Sequence, residues 1–165
     1  MTVANTNNST HSHGPGHDHN HCFETAMSTA EKICDESGAR LTDTRRRVLE
    51  LIWQGHSAVK AYDLIQQFAD DGTTKPPTVY RALDFLLELG LIHRIESLNA
   101  FVGCADPGHH DSCGLQLMVC EICQRVEELH THGSMTDIVD EAEKTGFKVK
   151  QPVLELHGIC SECAS

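Results

Sequence analysis

Two cysteine pairs of identical spacing, Cys120 with Cys123 and Cys160 with Cys163, constrain this chain more than any other feature. Three chemistries use such pairs: a disulfide, a redox-active dithiol and a four-thiolate metal site. A chain of 165 residues has room for one ordinary domain or two small ones, and a small domain buries too little apolar surface to be comfortably stable without a staple. The N-terminus lacks the basic-then-apolar order of a secretory signal, and no run approaches the roughly eighteen apolar residues of a membrane span. A cytoplasmic protein is expected, in which eight cysteines are poor candidates for disulfides. Neither CxxC opens a helix inside a βαβ unit, as a thioredoxin-like dithiol requires. The favoured reading is therefore a structural Zn²⁺ held by Cys120, Cys123, Cys160 and Cys163, although the thirty-six residues between the pairs exceed the usual zinc-ribbon spacing.

The formal net charge of -11 speaks against a nucleic-acid partner until its distribution is read. Residues 40–94 carry eight Lys or Arg against seven acids, whereas residues 95–165 carry four against twelve and residues 1–39 one against five. The acidity belongs to the two ends, and the middle third is free to meet an anion. Residues 1–24 read as a disordered tail, in which His11, His13, His17, His19 and His21 alternate with small and polar residues; such a composition chelates divalent metals without folding, or is simply a solvated tail.

Residues 25–95 read as a winged-helix domain. An amphipathic helix is expected from Thr25 to about Gly38, and a second from Asp43, capped by Thr42, with Val48, Leu49, Ile52 and Trp53 as its apolar stripe. A third, with Leu64, Ile65 and Phe68 inward, ends at Gly72. After two prolines that break the pattern, a fourth buries Val79, Leu83, Leu86 and Leu87 and stops before Gly90. The period then changes from helical to alternating, so that LIHRIES and FVGC form a hairpin turning at Leu98-Asn99. Three helices followed by a hairpin make a winged helix-turn-helix, whose last helix enters the major groove of DNA. Thr78, Tyr80 and Arg81 lie on the exposed face of that helix, a hydroxyl, an aromatic and a guanidinium suited to base edges and phosphates. Residues 96–106 form the wing end and a hinge. Residues 107–165 make a small α/β domain with two strands, a helix ending at Gly146 and one or two further strands. The fold class is α+β.

In the expected hairpin Ser97 faces Ala100, Ile95 faces Val102 and His93 faces Cys104, and opposed residues share a face. His93 and Cys104 are then two ready ligands at the boundary between the halves of the chain. Glu128, close behind the first CxxC, is the third choice, and the fourth comes from the ligand-rich loop as Cys113 or His110. A closed set of mixed sulfur, nitrogen and oxygen donors suits Zn²⁺ without catalysis, because no position is left open for water. A zinc hydrolase or deaminase would need such a position, and the HxE and PCxxC pair of a deaminase is missing. No enzyme is expected.

The stretches KPPTVYRALDFLLELGLIHRIES, FVGC, VCEICQRVEE and LELHGICSEC resemble the ferric-uptake-regulator family, most closely its zinc-uptake branch, over residues 28–163. The resemblance implies a homodimeric, cytoplasmic repressor with an N-terminal winged helix and a C-terminal dimerisation domain, which uses Zn²⁺ as corepressor on a palindromic duplex DNA operator and controls zinc-uptake genes. It assigns the structural ion to Cys120, Cys123, Cys160 and Cys163, regulatory ligands to His93, Cys104 and Glu128, and DNA contacts to Tyr62 and Arg81. Tyr80, Lys60 and Arg45 to Arg47 are then expected to add base or backbone contacts. Seven residues before Cys120, where the branch commonly has a histidine, stands Cys113, with His109 and His110 a little earlier, so the fourth ligand stays open between Cys113 and His110. Gln151 and Pro152 occupy the place of a further ligand histidine found in the iron- and peroxide-sensing branches. An iron, manganese or peroxide sensor is the nearest alternative, disfavoured by the Cys104 thiolate, and a zinc-storage or delivery protein is another, suited to the tail.

Overall fold

The computed structural model describes residues 19–55, 57–70, 75–105, 107, 114–129 and 135–164. Its elements are α1 (His19–Glu36), α2 (Asp43–Trp53), β1 (Val59–Lys60), α3 (Ala61–Asp70), α4 (Pro76–Glu88), β2 (Ile92–Ile95), β3 (Ala100–Gly103), β4 (Leu115–Cys120), β5 (Val126–Glu128), α5 (Thr136–Lys144) and β6 (Val153–Gly158). No described helix is long and apolar enough to cross a membrane.

Helix α1 begins six residues earlier than the periodicity suggests, inside the segment expected to be a disordered tail. Phe23 accounts for the extension: it packs against the main core one turn before buried Met27 and Ala30. Gly38, at φ +65°, stops the helix as a left-handed C-terminal residue, with the Ala39 N–H returning to the Cys34 carbonyl at 2.8 Å. Gly90 does the same for α4, where the Leu91 N–H reaches the Leu86 carbonyl at 2.9 Å. Thr42 is the N-cap residue of α2, but its side chain makes no capping bond. The two prolines open α4 rather than break it, because the N–H groups they lack have no partner in a first helical turn.

The first core lies among α1 to α4 and the hairpin. Val48, Leu49, Ile52, Leu64, Val79, Leu83, Leu86, Leu91 and Ile92 are all within 1% of full burial except Leu91, at 2%. Strands order as β1-β3-β2, antiparallel throughout. The two-residue strand β1 carries too little pattern to be legible, and it makes β3 the centre of this sheet. Residues 100–103 thus lie in one sheet with β1 and β2. Packing is tight at Gly103, where an added methyl would lie 2.3 Å from the Trp53 ring. Gly103→Ala is expected to destabilise the domain by about 1–3 kcal/mol through overpacking, seen as a lower urea midpoint at an unchanged slope.

The hairpin register differs from expectation by two residues. His93 pairs with Val102 and Ile95 with Ala100, so the turn spans Glu96 to Asn99, with Asn99 at φ +47°. Cys104 consequently lies diagonal to His93 and not opposite it, and its N–H donates to the Leu91 carbonyl at 3.1 Å. A slip of two preserves face, so His93, Val102 and Cys104 still point the same way.

The second sheet orders as β5-β4-β6, with β4 antiparallel to β5 and parallel to β6. Leu117, Val119 and Val126 pack against Ile95 and Val102 of the hairpin, forming a small core between the sheets. Met118 and Leu156, partners in the β4–β6 register, are exposed on the other side of the sheet, and α5 buries none of its residues.

Candidate metal centres and nucleic-acid interface

The parallel β4–β6 pairing brings the two cysteine pairs together. Cys120 ends β4 in register with Gly158, and the Glu121 N–H donates to the Gly158 carbonyl at 2.9 Å, so the turn after β6 falls beside the turn after β4. Each pair sits in a knuckle. The first is closed by the Gln124 N–H on the Cys120 carbonyl, with Gln124 at φ +58°, and the second by the Cys163 and Ala164 N–H groups on the Cys160 carbonyl. The Arg125 guanidinium donates to Glu162 at 2.7 Å and ties one knuckle to the other.

The sulfurs of Cys120, Cys123, Cys160 and Cys163 all lie within 4.8 Å of one another. Cys123 and Cys160 are 3.8 Å apart, far beyond a disulfide bond but equal to the edge of about 3.8 Å of a tetrahedron with metal–sulfur bonds of about 2.3 Å. Backbone N–H groups of Cys123 and Cys160 directed at Cys120 lower its pKa to about 6, whereas the neighbouring sulfurs of Cys160 and Cys123 push Cys163 up to about 12. The cage thus favours a first thiolate and resists a fourth. A divalent cation removes that conflict, and the donor set fits Zn²⁺.

The second cluster joins the two sheets. His93 on β2, Cys104 just past β3 and Glu128 at the end of β5 place their ligand atoms within 4.8 Å of one another. His93 Nε2 is 3.4 Å from Glu128 Oε1, and Cys104 is 1% exposed. The Glu128 carboxylate also accepts the Ala105 N–H at 2.8 Å, which fixes it against the chain leaving the hairpin. Three largely buried donors of nitrogen, sulfur and oxygen type suit Zn²⁺ better than a harder ion. Cys113 and His110 lie outside the described residues, as do Gly72 and His11, His13 and His17 of the tail.

Most of the residues expected to meet DNA are exposed. Thr78, Tyr80 and Arg81 are exposed on α4, Tyr62 on α3 and Lys60 on β1. The Tyr62 hydroxyl accepts from Gln66 Nε2 at 2.9 Å, which orients it. Arg45 is half-buried: its guanidinium lies 3.4 Å from the Phe85 ring centroid and donates to the Arg40 carbonyl at 2.6 Å. Arg46 pairs with Glu31, and Arg47 lies 3.5 Å from Glu50. The sequence reading missed Arg125 and Glu155. Arg125 had a signal, as a base directly behind a thiolate knuckle, and Glu155 had none.

A winged helix whose hairpin shares a buried donor cluster with a thiolate-stapled β domain defines a class of two-domain, metal-site-bearing helix-turn-helix proteins. The chain belongs to the ferric uptake regulator family, whose family model matches residues 36–157. It is 40% identical over 140 residues to the zinc uptake regulation protein of Escherichia coli (strain K12), covering 83% of this chain and 80% of that protein. It also resembles the solved structure of a zinc uptake regulator complexed with zinc and DNA, at 38% identity and TM-score 0.78, covering 86% of this chain and 95% of that one. Holo XcZur matches at 37% identity and TM-score 0.77, covering 85% and 97%. Apo XcZur matches at 35% identity but TM-score 0.51, covering 88% and 99%.

Proposed function

We propose that this protein is a zinc-responsive, DNA-binding transcriptional repressor that uses Zn²⁺ as corepressor to control zinc-uptake genes, acts as a homodimer in the cytoplasm and has no catalytic role. The observation that carries the reading is the position of the His93, Cys104 and Glu128 cluster. Two of its donors belong to the wing and one to the second sheet, so a bound ion would cross-link them. These three residues, with Cys113 or His110, would hold the exchangeable ion, and the four-cysteine cage the permanent one. The TM-scores support a closed arrangement: at nearly equal identity and coverage the chain fits a holo structure far better than the corresponding apo structure. Such a drop at constant coverage requires large parts of the chain to sit differently.

A dimer reads two half-sites only when its recognition helices match the groove spacing, so closing the wing onto the second sheet governs affinity. The exposed Met118 and Leu156 face and the unburied α5 suit pairing with a second copy. Thr78, Tyr80 and Arg81 would meet the major groove, with Tyr62 and Lys60 on the backbone. Arg45 would act chiefly by bracing α4 through Phe85, and only secondarily at phosphate.

A gel shift with a palindromic duplex at buffered free zinc tests the function: the complex should form only above a threshold. A complex equally strong without zinc, or one set by iron, manganese or peroxide, would reject it. Arg81→Ala should weaken operator binding about tenfold or more while zinc stoichiometry stays unchanged, and full operator affinity there would remove α4 as the reading helix.

A further inference from the structure

Leu117, fully buried at the centre of the second sheet, has a glutamate as partner on each side: Glu128 across β5 and Glu155 across β6. Residues in register on neighbouring strands share a face, so Glu128, Leu117 and Glu155 form one row about 10 Å long across three strands. That row lies under the wing hairpin, because Leu117 packs in the same small core as Ile95 and Val102. Its two ends do different things. Glu128 meets His93 and the Ala105 N–H at the open base of the hairpin. Glu155 meets the tip: its Oε1 accepts the Glu96 N–H at 2.8 Å and its Oε2 the Ser97 N–H at 3.3 Å.

We propose that Glu155 is a positioning residue that sets how readily the wing closes onto the second sheet, holding the hairpin tip while the His93, Cys104 and Glu128 cluster holds its base. Two adjacent N–H groups of a turn converging on one carboxylate make a charge-assisted, bidentate contact, stronger than a neutral pair of the same length. The Glu155 side chain is only 13% exposed, with His157 Nε2 at 3.5 Å from its carboxylate. Burial by itself raises the Glu155 pKa, but the Ser97 side chain, the two N–H groups and His157 outweigh it and leave the group below its ordinary value, ionised as the contact requires. None of the donors in either metal cluster takes part, so in the closed arrangement the contact adds to the hold of the ion and lowers the work left for the ion to do. The effect on DNA rests on the function proposed above, whereas the contact does not.

Hydrogen exchange of the zinc-loaded full-length protein, together with operator binding against buffered free zinc, tests this with Glu155→Ala and Glu155→Gln. Glu155→Ala is expected to speed exchange at the Glu96 and Ser97 amides by about tenfold or more, with β4 protection and tightly held zinc unchanged. The free zinc needed for half-maximal operator binding should rise about tenfold. Glu155→Gln, which keeps one carbonyl acceptor and loses the charge, should fall between. Wild-type exchange at both amides in both variants overturns the proposal, and so does lost protection with an unmoved zinc threshold. If Glu155→Ala does not fold, the glutamine variant gives both readouts. A wild-type protein whose DNA binding ignores zinc would instead refute the functional reading, and the exchange measurement would still decide the contact.

Discussion

Cys160→Ser is expected to melt the second sheet while the winged helix stays folded. The cause is the thinness of the core that the sheet can offer. Among the described residues, Leu117, Val119 and Val126 of β4 and β5 are buried in the cluster with the hairpin, Leu115 packs against it partly buried, no residue of β6 joins them, and α5 buries nothing. Structural zinc contributes on the order of 10 kcal/mol of apparent folding free energy, far more than three apolar side chains at about 1.5–3 kcal/mol each can replace. Opening the cage also frees the turn beyond β6, whose parallel pairing with β4 depends on strands distant in sequence. Far-ultraviolet circular dichroism with metal analysis would show the loss: one tightly held zinc fewer per subunit and a lower, broader transition. Persistence of the β4–β6 exchange protection after chelation or in Cys160→Ser would remove the staple role.

His93→Ala and Cys104→Ser should each abolish the zinc response without unfolding the chain. Neither residue belongs to the four-cysteine cage, and the main core lies among other side chains. Removing a ligand should cost more than the roughly 10- to 100-fold that loss of a supporting neighbour costs a metal site, so the zinc threshold for operator binding should rise by more than about a hundredfold. Cys104→Ser is the sharper variant, because it keeps size and burial while replacing the soft donor that favours zinc. Thermal unfolding and the content of tightly held zinc should match the unsubstituted protein. Unchanged zinc dependence in both variants would move the regulatory site elsewhere.

Much of the site is legible in local sequence patterns alone. The helices of the first domain announce themselves through stripes such as Val48, Leu49 and Ile52, and Gly90 marks where α4 must stop. His93 and Cys104 share a face in either register, since a strand repeats every second residue and an even slip leaves faces unchanged. Arg45 shows the reverse. Its half-buried guanidinium lies on the Phe85 ring, a packing arrangement that no local pattern encodes.

What the amino-acid order determined by itself is the chemistry available: four thiols in two knuckles, a histidine and a cysteine on one face of a hairpin, and an arginine and tyrosines on helices. These follow from local geometry, the periods of helix and strand and the turn of a CxxC. Only the tertiary structure decided which strands become neighbours, and thereby that β6 lies parallel to β4 and that Glu155 comes beside Leu117 beneath the wing. Such pairings join residues tens of positions apart, and one sequence carries no local signal for them, because their free energy arises only when β4 and β6 lie side by side.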